Sequence, residues 1–396
     1  MITCQFNDAY FPILDGVVMA AHNYAYWLEK YNSNSYLIAP KVKDHPFEVS
    51  YNALLYKSMI LPGMNPYRIG LPHFDLLFKR KMNNVNFDIL HAHCPFITGQ
   101  LALNLSKNLN VPLVASFHSK YKEDFKKTLD SPLFVDFMLK HVVNFYNSAD
   151  YVWVPNKATG ETLKEYGYRG EYTVVPNGTD MEVPDKPAYL KYRKQGLEFL
   201  GCNEDDFILL FVGQHRWEKN VRMIIESLKT LKAENVKFKM VFVGEGYAYT
   251  DMQLLVRQME LNDHVIFTGL ISDRNKLKHI YASADLFVFP SVYDNAPLVM
   301  MEAAAYQVPS IVVKDASASE CIVDQVNGFT IDNSQESLAA TIKNLSCHPE
   351  KIKRAGANAA KSIYRNWEGI VEEVNAKYAD IINEHGHMKS TRYFAM

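Results

Sequence analysis

No stretch of this 396-residue sequence approaches the run of about 20 apolar residues that a membrane-spanning helix needs, so no span is expected. Nor is there an excess of positive charge. Lys and Arg total 42 against 44 Asp and Glu, a net charge of -2. A chain that held nucleic acid mainly through its phosphates would be basic, so no nucleic-acid partner is expected. Cysteine is scarce and patternless: Cys4, Cys94, Cys202, Cys321 and Cys347 contain no C-x-x-C pair. That gives neither a disulfide framework nor a zinc site, and reduced, buried thiols in a cytoplasmic protein are the expectation. The opening MITCQFNDAYFPILDG lacks a basic start followed by an apolar core, so no secretory signal is read there. Also missing are a G-x-x-x-x-G-K-[ST] phosphate loop and a G-x-S-x-G nucleophile turn. Gly244-Glu245-Gly246 has no third glycine at the dinucleotide spacing and does not follow the first strand, so a dinucleotide fingerprint is rejected. Neither a fixed-period repeat nor a low-complexity tract is present.

What is present is an ordinary globular composition, 48% hydrophobic and 22% charged, in a chain long enough for two domains with a core each. Short apolar runs at 1–6, 35–38, 88–91, 113–116, 151–154 and 172–175 read as strands. Amphipathic stretches such as 17–30, 99–109 and 133–148 separate several of them. Strand-helix-strand alternation predicts right-handed crossovers and a parallel sheet covered on both faces. Residues 177–200 are polar, carry Pro184 and Pro187, and read as a linker with a lead-in helix. The pattern then restarts, with strands at 208–212, 239–243, 265–268, 286–289 and 310–313. The fold class is therefore α/β, with two Rossmann-like doubly wound parallel-sheet domains. Such sheets bind ligands at the carboxyl ends of their strands, and an interdomain cleft is the expected site. The boundaries read from the sequence are 1–183 with a C-terminal helix 375–396 packing back on it, and 184–374 for the second domain.

The most informative segment is FPSVYDNAPLVMMEA, residues 289–303. A strand ends, a turn-rich loop follows, and Pro297 suits the first position of a helix. The next amides, Leu298 and Val299, would point out of a positively polarised helix start that suits a phosphate or pyrophosphate. Glu302 falls in the first turns, where a carboxylate can accept two hydrogen bonds from a vicinal diol such as ribose. Asp294 and Glu302 could also do no more than complement the helix dipole, for about 0.3–1 kcal/mol each. But Glu302 precedes three alanines, where close packing is expected and a carboxylate wants partners. A second segment, FVGQHRWEKN at 211–220, is a strand, a glycine turn and then cations. Arg216 and Lys219 could reach a diphosphate, each charge-assisted bond contributing roughly 1.5–3 kcal/mol, or they could decorate a solvated loop. In the first half, Gly16 either lets a backbone approach a ligand or makes a turn. His91, His93 and His118 each follow an apolar strand; without a carboxylate at a fixed offset they do not make a metal site. Each is either a satisfied structural histidine or a group at the functional edge of the sheet. The run Phe78-Lys79-Arg80-Lys81-Met82 reads first as a solvated helix end and second as peripheral contact with an anionic membrane surface.

In order along the chain, FNDAYFPILDGV, DILHAHCPFITG, VASFHSKY, VPNGTD, FVGQHRWEKN, HIYASADLFVFPSVYDNAPLVMMEAAAYQVPSIVV and NWEGIVEEVNAKYADII resemble the motifs of the family-4 retaining glycosyltransferases of the GT-B fold. The resemblance covers nearly the whole chain. It implies a nucleotide-sugar donor, most simply UDP-linked, and a glycan or lipid-linked acceptor. It implies no cofactor and no metal, with transfer of a hexose at retained anomeric configuration. By matching position, Glu302 would hold the ribose diol, and Asp294 would bond sugar hydroxyls near the reacting carbon. Lys219 and Arg216 would meet the diphosphate, with the Leu298 and Val299 amides cradling it. Leu270 and Ile271 would contact the base, Gly16 is the glycine of the first loop, and His118 is the histidine that contacts the donor sugar. Three positions depart from the family's pattern: Asp294 stands where glutamate is usual, Gln214 where arginine is usual, and Pro297 where glycine is common. The alternatives are a nucleotide-sugar epimerase or hydrolase on the same architecture, and a non-catalytic binding subunit. Retention of His118, Lys219 and Glu302 argues against the latter. The acceptor is not legible: residues 41–61 and 119–132 carry no signature. The location expected is cytoplasmic, with peripheral contact at the inner membrane face as the second reading.

Overall fold

The structure is a computed structural model that describes residues 1–13, 15–31, 34–42, 48–60, 68–128 and 131–394. Parts of the two loops in which an acceptor signature was sought, 43–47, 61 and 129–130, lie outside the described residues, as do 395–396 of the terminal helix. Two compact units result, one of residues 1–178 with 367–396 and one of 179–366. The second unit closes on itself where it begins and ends. Thr179 bridges Asn366, and the Thr179 amide donates to the Arg365 carbonyl at 2.9 Å. That bridge puts the crossings at 178/179 and 366/367, ahead of the 183/184 and 374/375 read from the sequence.

Along the first unit run β1 (Ile2–Phe6), α1 (Gly16–Lys30), β2 (Asn34–Pro40), β3 (Asn52–Tyr56) and a small antiparallel pair, β4 (Ser58–Ile60) with β5 (Arg68–Gly70). Then come α2 (Leu76–Asn83), β6 (Ile89–Ala92), α3 (Ile97–Leu109), β7 (Leu113–Ser116), α4 (Tyr121–Thr128), α5 (Pro132–Ser148), β8 (Tyr151–Val154), α6 (Lys157–Glu165) and β9 (Thr173–Val174). The strands form one sheet in the order β3-β2-β1-β6-β7-β8-β9, parallel throughout. Residues of β6 and β7 are buried at every position, as expected for parallel strands covered on both faces.

The second unit opens with α7 (Lys186–Leu200), capped by the Asp185 side chain, which accepts from the Ala188 amide, and ended by Gly201 in the left-handed region. β10 (Ile208–Val212), α8 (Val221–Ala233), β11 (Lys239–Val243), α9 (Tyr249–Gln258), β12 (Val265–Gly269) and α10 (Arg274–Ser283) follow. After them come β13 (Leu286–Val288), α11 (Leu298–Ala305), β14 (Ser310–Val313), β15 (Gly328–Ile331), α12 (Gln335–Ser346) and α13 (Pro349–Ser362). Their sheet, β12-β11-β10-β13-β14-β15, is parallel as well. All five side chains of β10 are buried, and complete burial of a Leu, Ile, Val or Phe contributes about 1.5–3 kcal/mol. The core of this unit is thus centred on the strand whose end carries the site.

The last helix, α14 (Trp367–Phe394), belongs to the first unit. Its Trp367 meets Tyr24 of α1, and its Tyr378 stacks on Trp153 of β8 at 5.5 Å.

Candidate active site

Strand order reverses between β10 and β13, and in an open parallel sheet that reversal leaves a crevice at the carboxyl ends of the strands. Two loops lead out of it. After β10, the chain passes Gly213 to a single 3-10 turn, Trp217–Lys219, ended by Asn220 at φ 56°. Asn220 fastens this loop to its neighbours, its amide nitrogen donating to the Pro290 carbonyl and the Asn333 side chain, both at 2.9 Å. Lys219 is thereby aimed at the loop after β13. Its Nζ lies 2.7 Å from Asp294 Oδ1 and 2.9 Å from Oδ2. Ser291 holds the same carboxylate, its hydroxyl donating to Oδ2 at 2.6 Å. Arg216 sits with its guanidinium 5.5 Å from the ring centre of Tyr293 and its Nε 3.7 Å from Glu218. That Nε is buried and has no hydrogen-bond partner among the described residues.

The β13 loop delivers the start of α11. Pro297 is the N-cap, one position earlier than the first helical residue expected of it, and no side chain caps this end. The Leu298 and Val299 amides therefore lead an uncapped helix start beside the crevice. Glu302, one turn in, is 6% exposed. It is not left to the helix dipole alone: Arg274 Nη2 donates to Oε1 at 2.7 Å and the Tyr281 hydroxyl to Oε2 at 2.6 Å. Arg274 opens α10 behind the N-cap Asp273 and also grips Asp180, Nε donating to Oδ2 at 2.9 Å. Burial works against the guanidinium charge, but Glu302 and Asp180 outweigh it and raise the Arg274 pKa. Burial, with Glu302 adding to it, lifts the Tyr281 phenol well above its ordinary value. Leu270, exposed, and Ile271, packed against the core, lie just ahead of Arg274.

The rejected glycine pair has a packing reason. A Cβ on Gly244 would come within 2.1 Å of the Gly213 carbonyl, and φ there is 128°. Gly213 N–H in turn donates to Val243 O at 3.0 Å. The glycines let the β11 loop press against the β10 loop that carries Lys219.

In the first unit the carboxyl edge carries Gly16 and the histidines. Asp15 caps α1, accepting from Val17 and Val18 at 3.0 and 2.8 Å. Gly16, the first helical residue, has nothing within 4 Å of where a Cβ would stand and no positive φ. It is no turn glycine; what it supplies is room. His91 is enclosed in β6, bonded to Tyr378 and, at 2.7 Å, to Ser116. It is a structural histidine that ties α14 to the sheet. His93 and His118 are joined, Nδ1 to Nε2, at 3.1 Å. Burial pushes His118 down to about 4 and His93 well below its usual range, so both rings are neutral near pH 7.

The structure thus joins Lys219 to Asp294 and sets Glu302 in a second cluster. Gly16 and His118 share the edge of the other sheet. Sequence reading missed Arg274, Tyr281 and Asp180, which carry no motif of their own, and missed that Lys219 and Asp294 are each other's partners. The run 78–82 also reads differently: Phe78 and Met82 are buried, whereas Phe74, Leu76 and Leu77 stand outward. Among the described residues no group of three His, Cys, Asp or Glu side chains could hold a metal ion, and no helix is long and apolar enough to cross a membrane.

Comparison with known proteins adds the following. Residues 194–362 match the family model described as glycosyl transferases group 1, and 14–183 match that of glycosyltransferase family 4. The protein named glycosyltransferase EpsD of Bacillus subtilis is 30% identical over 308 residues, 76% of this chain and 78% of its own length. The alpha-monoglucosyldiacylglycerol synthase of Acholeplasma laidlawii is 24% identical over 392 residues, covering 96% of this chain and 97% of the relative. Among solved structures, sucrose-phosphate synthase of Thermosynechococcus elongatus superposes with a TM-score of 0.80 at 20% identity, covering 97% and 99% of the two chains. HepE of Anabaena, solved with UDP-glucose, gives 0.73 at 16% identity over 96% and 100%.

Proposed function

From the premise that the chain belongs to the group 1, family 4 glycosyltransferases of the GT-B fold, we propose that it is a retaining hexosyltransferase. Its donor would be a nucleotide-diphosphate sugar, most simply UDP-linked, its acceptor a hydroxyl of a lipid-linked molecule or glycan, and its chemistry metal-independent. One observation carries the reading. At the switch point of the second sheet, Lys219 and Asp294 meet beside the uncapped start of α11, with Glu302 a turn further in.

In this reading Lys219, the Arg216 guanidinium and the Leu298 and Val299 amides take the diphosphate. Its negative charge grows as the glycosidic C–O bond breaks, and groups fixed in advance contribute most where charge develops. Glu302 still has lone pairs to accept from a ribose diol, because a carboxylate offers about four and Arg274 and Tyr281 use two. Leu270 and Ile271 would flank the base. Asp294 would receive sugar hydroxyls, and His118, with Gly16 leaving room in its own unit, would contact the sugar. The acceptor oxygen would attack from the face the diphosphate leaves, forming the new C–O bond while a departing phosphate oxygen takes the acceptor's proton. The relatives named above as a glucosyldiacylglycerol synthase and as a UDP-glucose complex support this donor and acceptor class.

A lipid-linked acceptor is supported by the outward face of α2 and of the 3-10 turn Pro72–Phe74 that precedes it. Phe74, Leu76 and Leu77 are 78%, 78% and 73% exposed, next to Lys79, Arg80 and Lys81. Apolar side chains beside a basic cluster suit the surface of an anionic bilayer.

The test is a thermal-shift screen of nucleotide sugars, followed by analysis of products formed with lipid and glycan acceptors and of their anomeric configuration. Stabilisation by UDP and an α-linked product from an α-linked donor are expected. Donor consumed equally without any acceptor would replace this reading with a hydrolase or epimerase.

A further inference from the structure

The loop between β11 and α9 lies against the β10 loop and sets one exposed side chain, Tyr247, over its 3-10 turn. Two backbone bonds join the loops: the His215 amide donates to the Glu245 carbonyl and the Ala248 amide to the His215 carbonyl, both at 3.0 Å. A Cβ on Gly246 would come within 2.4 Å of that His215 carbonyl, so glycine is what allows the approach. The Tyr247 hydroxyl then accepts from the Trp217 amide at 3.2 Å and donates to Glu218 Oε2. Chemistry fixes the direction of both bonds, because an amide N–H can only donate and a carboxylate can only accept. Partial burial, and after it the Glu218 carboxylate, raise the Tyr247 phenol above its ordinary value, so the donated proton stays in place near pH 7. The oxygen held in this way is also the one that faces Arg216. Glu218 Oε2 stands 3.7 Å from Arg216 Nε, near enough to attract the charge and too far for a hydrogen bond.

We propose that Tyr247 is a positioning residue for the donor's diphosphate: its hydroxyl caps the turn that carries Lys219 and restrains Glu218 from closing on Arg216, so that the guanidinium is left for phosphate oxygens. This rests on the reading that Arg216 meets the diphosphate. An arginine locked in a direct pair with Glu218 would have to give up that charge-assisted bond before it could bind phosphate. Held at 3.7 Å, it gives up little. Every residue in this arrangement, 215–219 and 244–248, belongs to the second unit. Tyr247 is 59% exposed, so loss of its hydroxyl alone disturbs no core packing.

The test is calorimetry of the full chain with UDP and with uridine, which lacks the diphosphate. Tyr247→Phe should bind UDP about three- to tenfold more weakly, the scale of one partly exposed charge contact, and uridine as the wild type does. Its melting temperature should not move. Adding Glu218→Gln removes the competing charge and should restore UDP affinity, and Tyr247→Phe should cost nothing further in an Arg216→Ala background. Undiminished UDP affinity in Tyr247→Phe, equal weakening towards uridine, or a loss that persists with Glu218→Gln or adds in full to Arg216→Ala would overturn the proposal. A second readout needs no ligand. Amide hydrogen exchange over residues 216–220 should quicken about tenfold in Tyr247→Phe, because the Trp217 amide loses its acceptor; unchanged exchange would mean that the hydroxyl does not hold the turn. Wild-type protein that binds no nucleoside diphosphate would overturn the donor reading and with it the role of Arg216, while the exchange rates would still decide whether Tyr247 holds the turn.

Discussion

Lys219 and Asp294, 75 residues apart, grip each other with both carboxylate oxygens within 2.9 Å of Nζ. Each is assigned to a different part of the donor, the lysine to the diphosphate and the aspartate to the sugar. In the proposed donor complex the diphosphate would draw the lysine into sharing, and the sugar's hydroxyls would become the new partners of Asp294. Both aspartate oxygens face the ammonium group, and Ser291 braces one of them.

Asp294→Asn should separate the two halves of the donor. Freed from its partner, Lys219 should bind UDP about three- to tenfold more tightly, the scale of one partly buried ion pair. Turnover of the intact donor should fall by about two orders of magnitude, because the sugar is no longer fixed for reaction. Calorimetry with UDP and kinetics with UDP-sugar measure the two directly. Weaker UDP binding in the variant would show that Asp294 orients the lysine and does not compete for it.

Glu302→Ala should abolish recognition of the ribose diol, at about 2–4 kcal/mol of donor affinity. Substrate analogues make the reading specific. Wild-type protein should bind 2′-deoxy-UDP less tightly than UDP, and Glu302→Ala should bind the two alike. Discrimination that survives the substitution would move ribose recognition elsewhere.

Arg274 bridges Glu302, which is buried, and Asp180, which is partly exposed. Removing it leaves the Glu302 carboxylate with only Tyr281. Arg274→Ala should cost roughly 1–3 kcal/mol, less than for a fully buried pair because the guanidinium itself is over a third exposed. Glu302→Gln in the same background should recover part of that loss. A double-mutant cycle on denaturant midpoints checks it, and additive losses would deny the coupling.

How much of this could be read beforehand follows from the kind of signal each feature has. Strands such as β10, β11 and β14 are continuous apolar runs between turns, and their ends match the sequence reading to the residue. β3 was hidden because it is an edge strand with only one fully buried residue, Tyr56, inside what reads as loop. β15 was hidden because Gly328–Ile331 is short and follows a polar, turn-rich stretch. Glu302 was legible because a carboxylate ahead of three alanines asks for partners. Its partners were not, since Arg274 and Tyr281 lie 28 and 21 residues away on another helix, where only folding brings them near. The same holds for Gln5 in β1 and His93 just past the end of the neighbouring β6, 88 residues apart.

Acid should destabilise the fold through its histidines. His118 and His215 are both held down to about 4 by burial, and His91 and His93 are well below their ordinary value for the same leading reason. Each binds its proton less readily folded than unfolded. Their stabilising effect is complete above the unfolded value near 6.5 and is lost as pH falls from there towards 4, by up to about 1.4 kcal/mol per pH unit for each ring. Unfolding midpoints in urea at pH 7.5, 6, 5 and 4.5 should fall with increasing steepness. His215→Phe should flatten the dependence, since among the described residues neither ring nitrogen of His215 has a hydrogen-bond partner and the ring lies among Phe211, Phe242, Tyr249 and Phe267. An unchanged slope would mean that His215 is already protonated in the folded state.

The proposed membrane contact can be separated from catalysis by the outward face of α2. Leu76 and Leu77 are exposed, while Phe78 and Met82 anchor the helix to the first core. Replacing Leu76 and Leu77 by Asp removes apolar contact and adds negative charge without touching the anchor. The double variant should release from vesicles rich in anionic lipid by at least about tenfold, since burying each leucine in the interface contributes on the order of 1 kcal/mol and each carboxylate is repelled. Its thermal stability and its UDP affinity should match the wild type, because neither side chain belongs to the donor site. Vesicle cosedimentation at two salt concentrations distinguishes the terms: the basic run 79–81 should give a salt-dependent component that persists in the variant. Binding that is unaffected by the double substitution would place the lipid surface on another part of the molecule, such as the exposed Leu133, Phe134 and Phe137 at the start of α5.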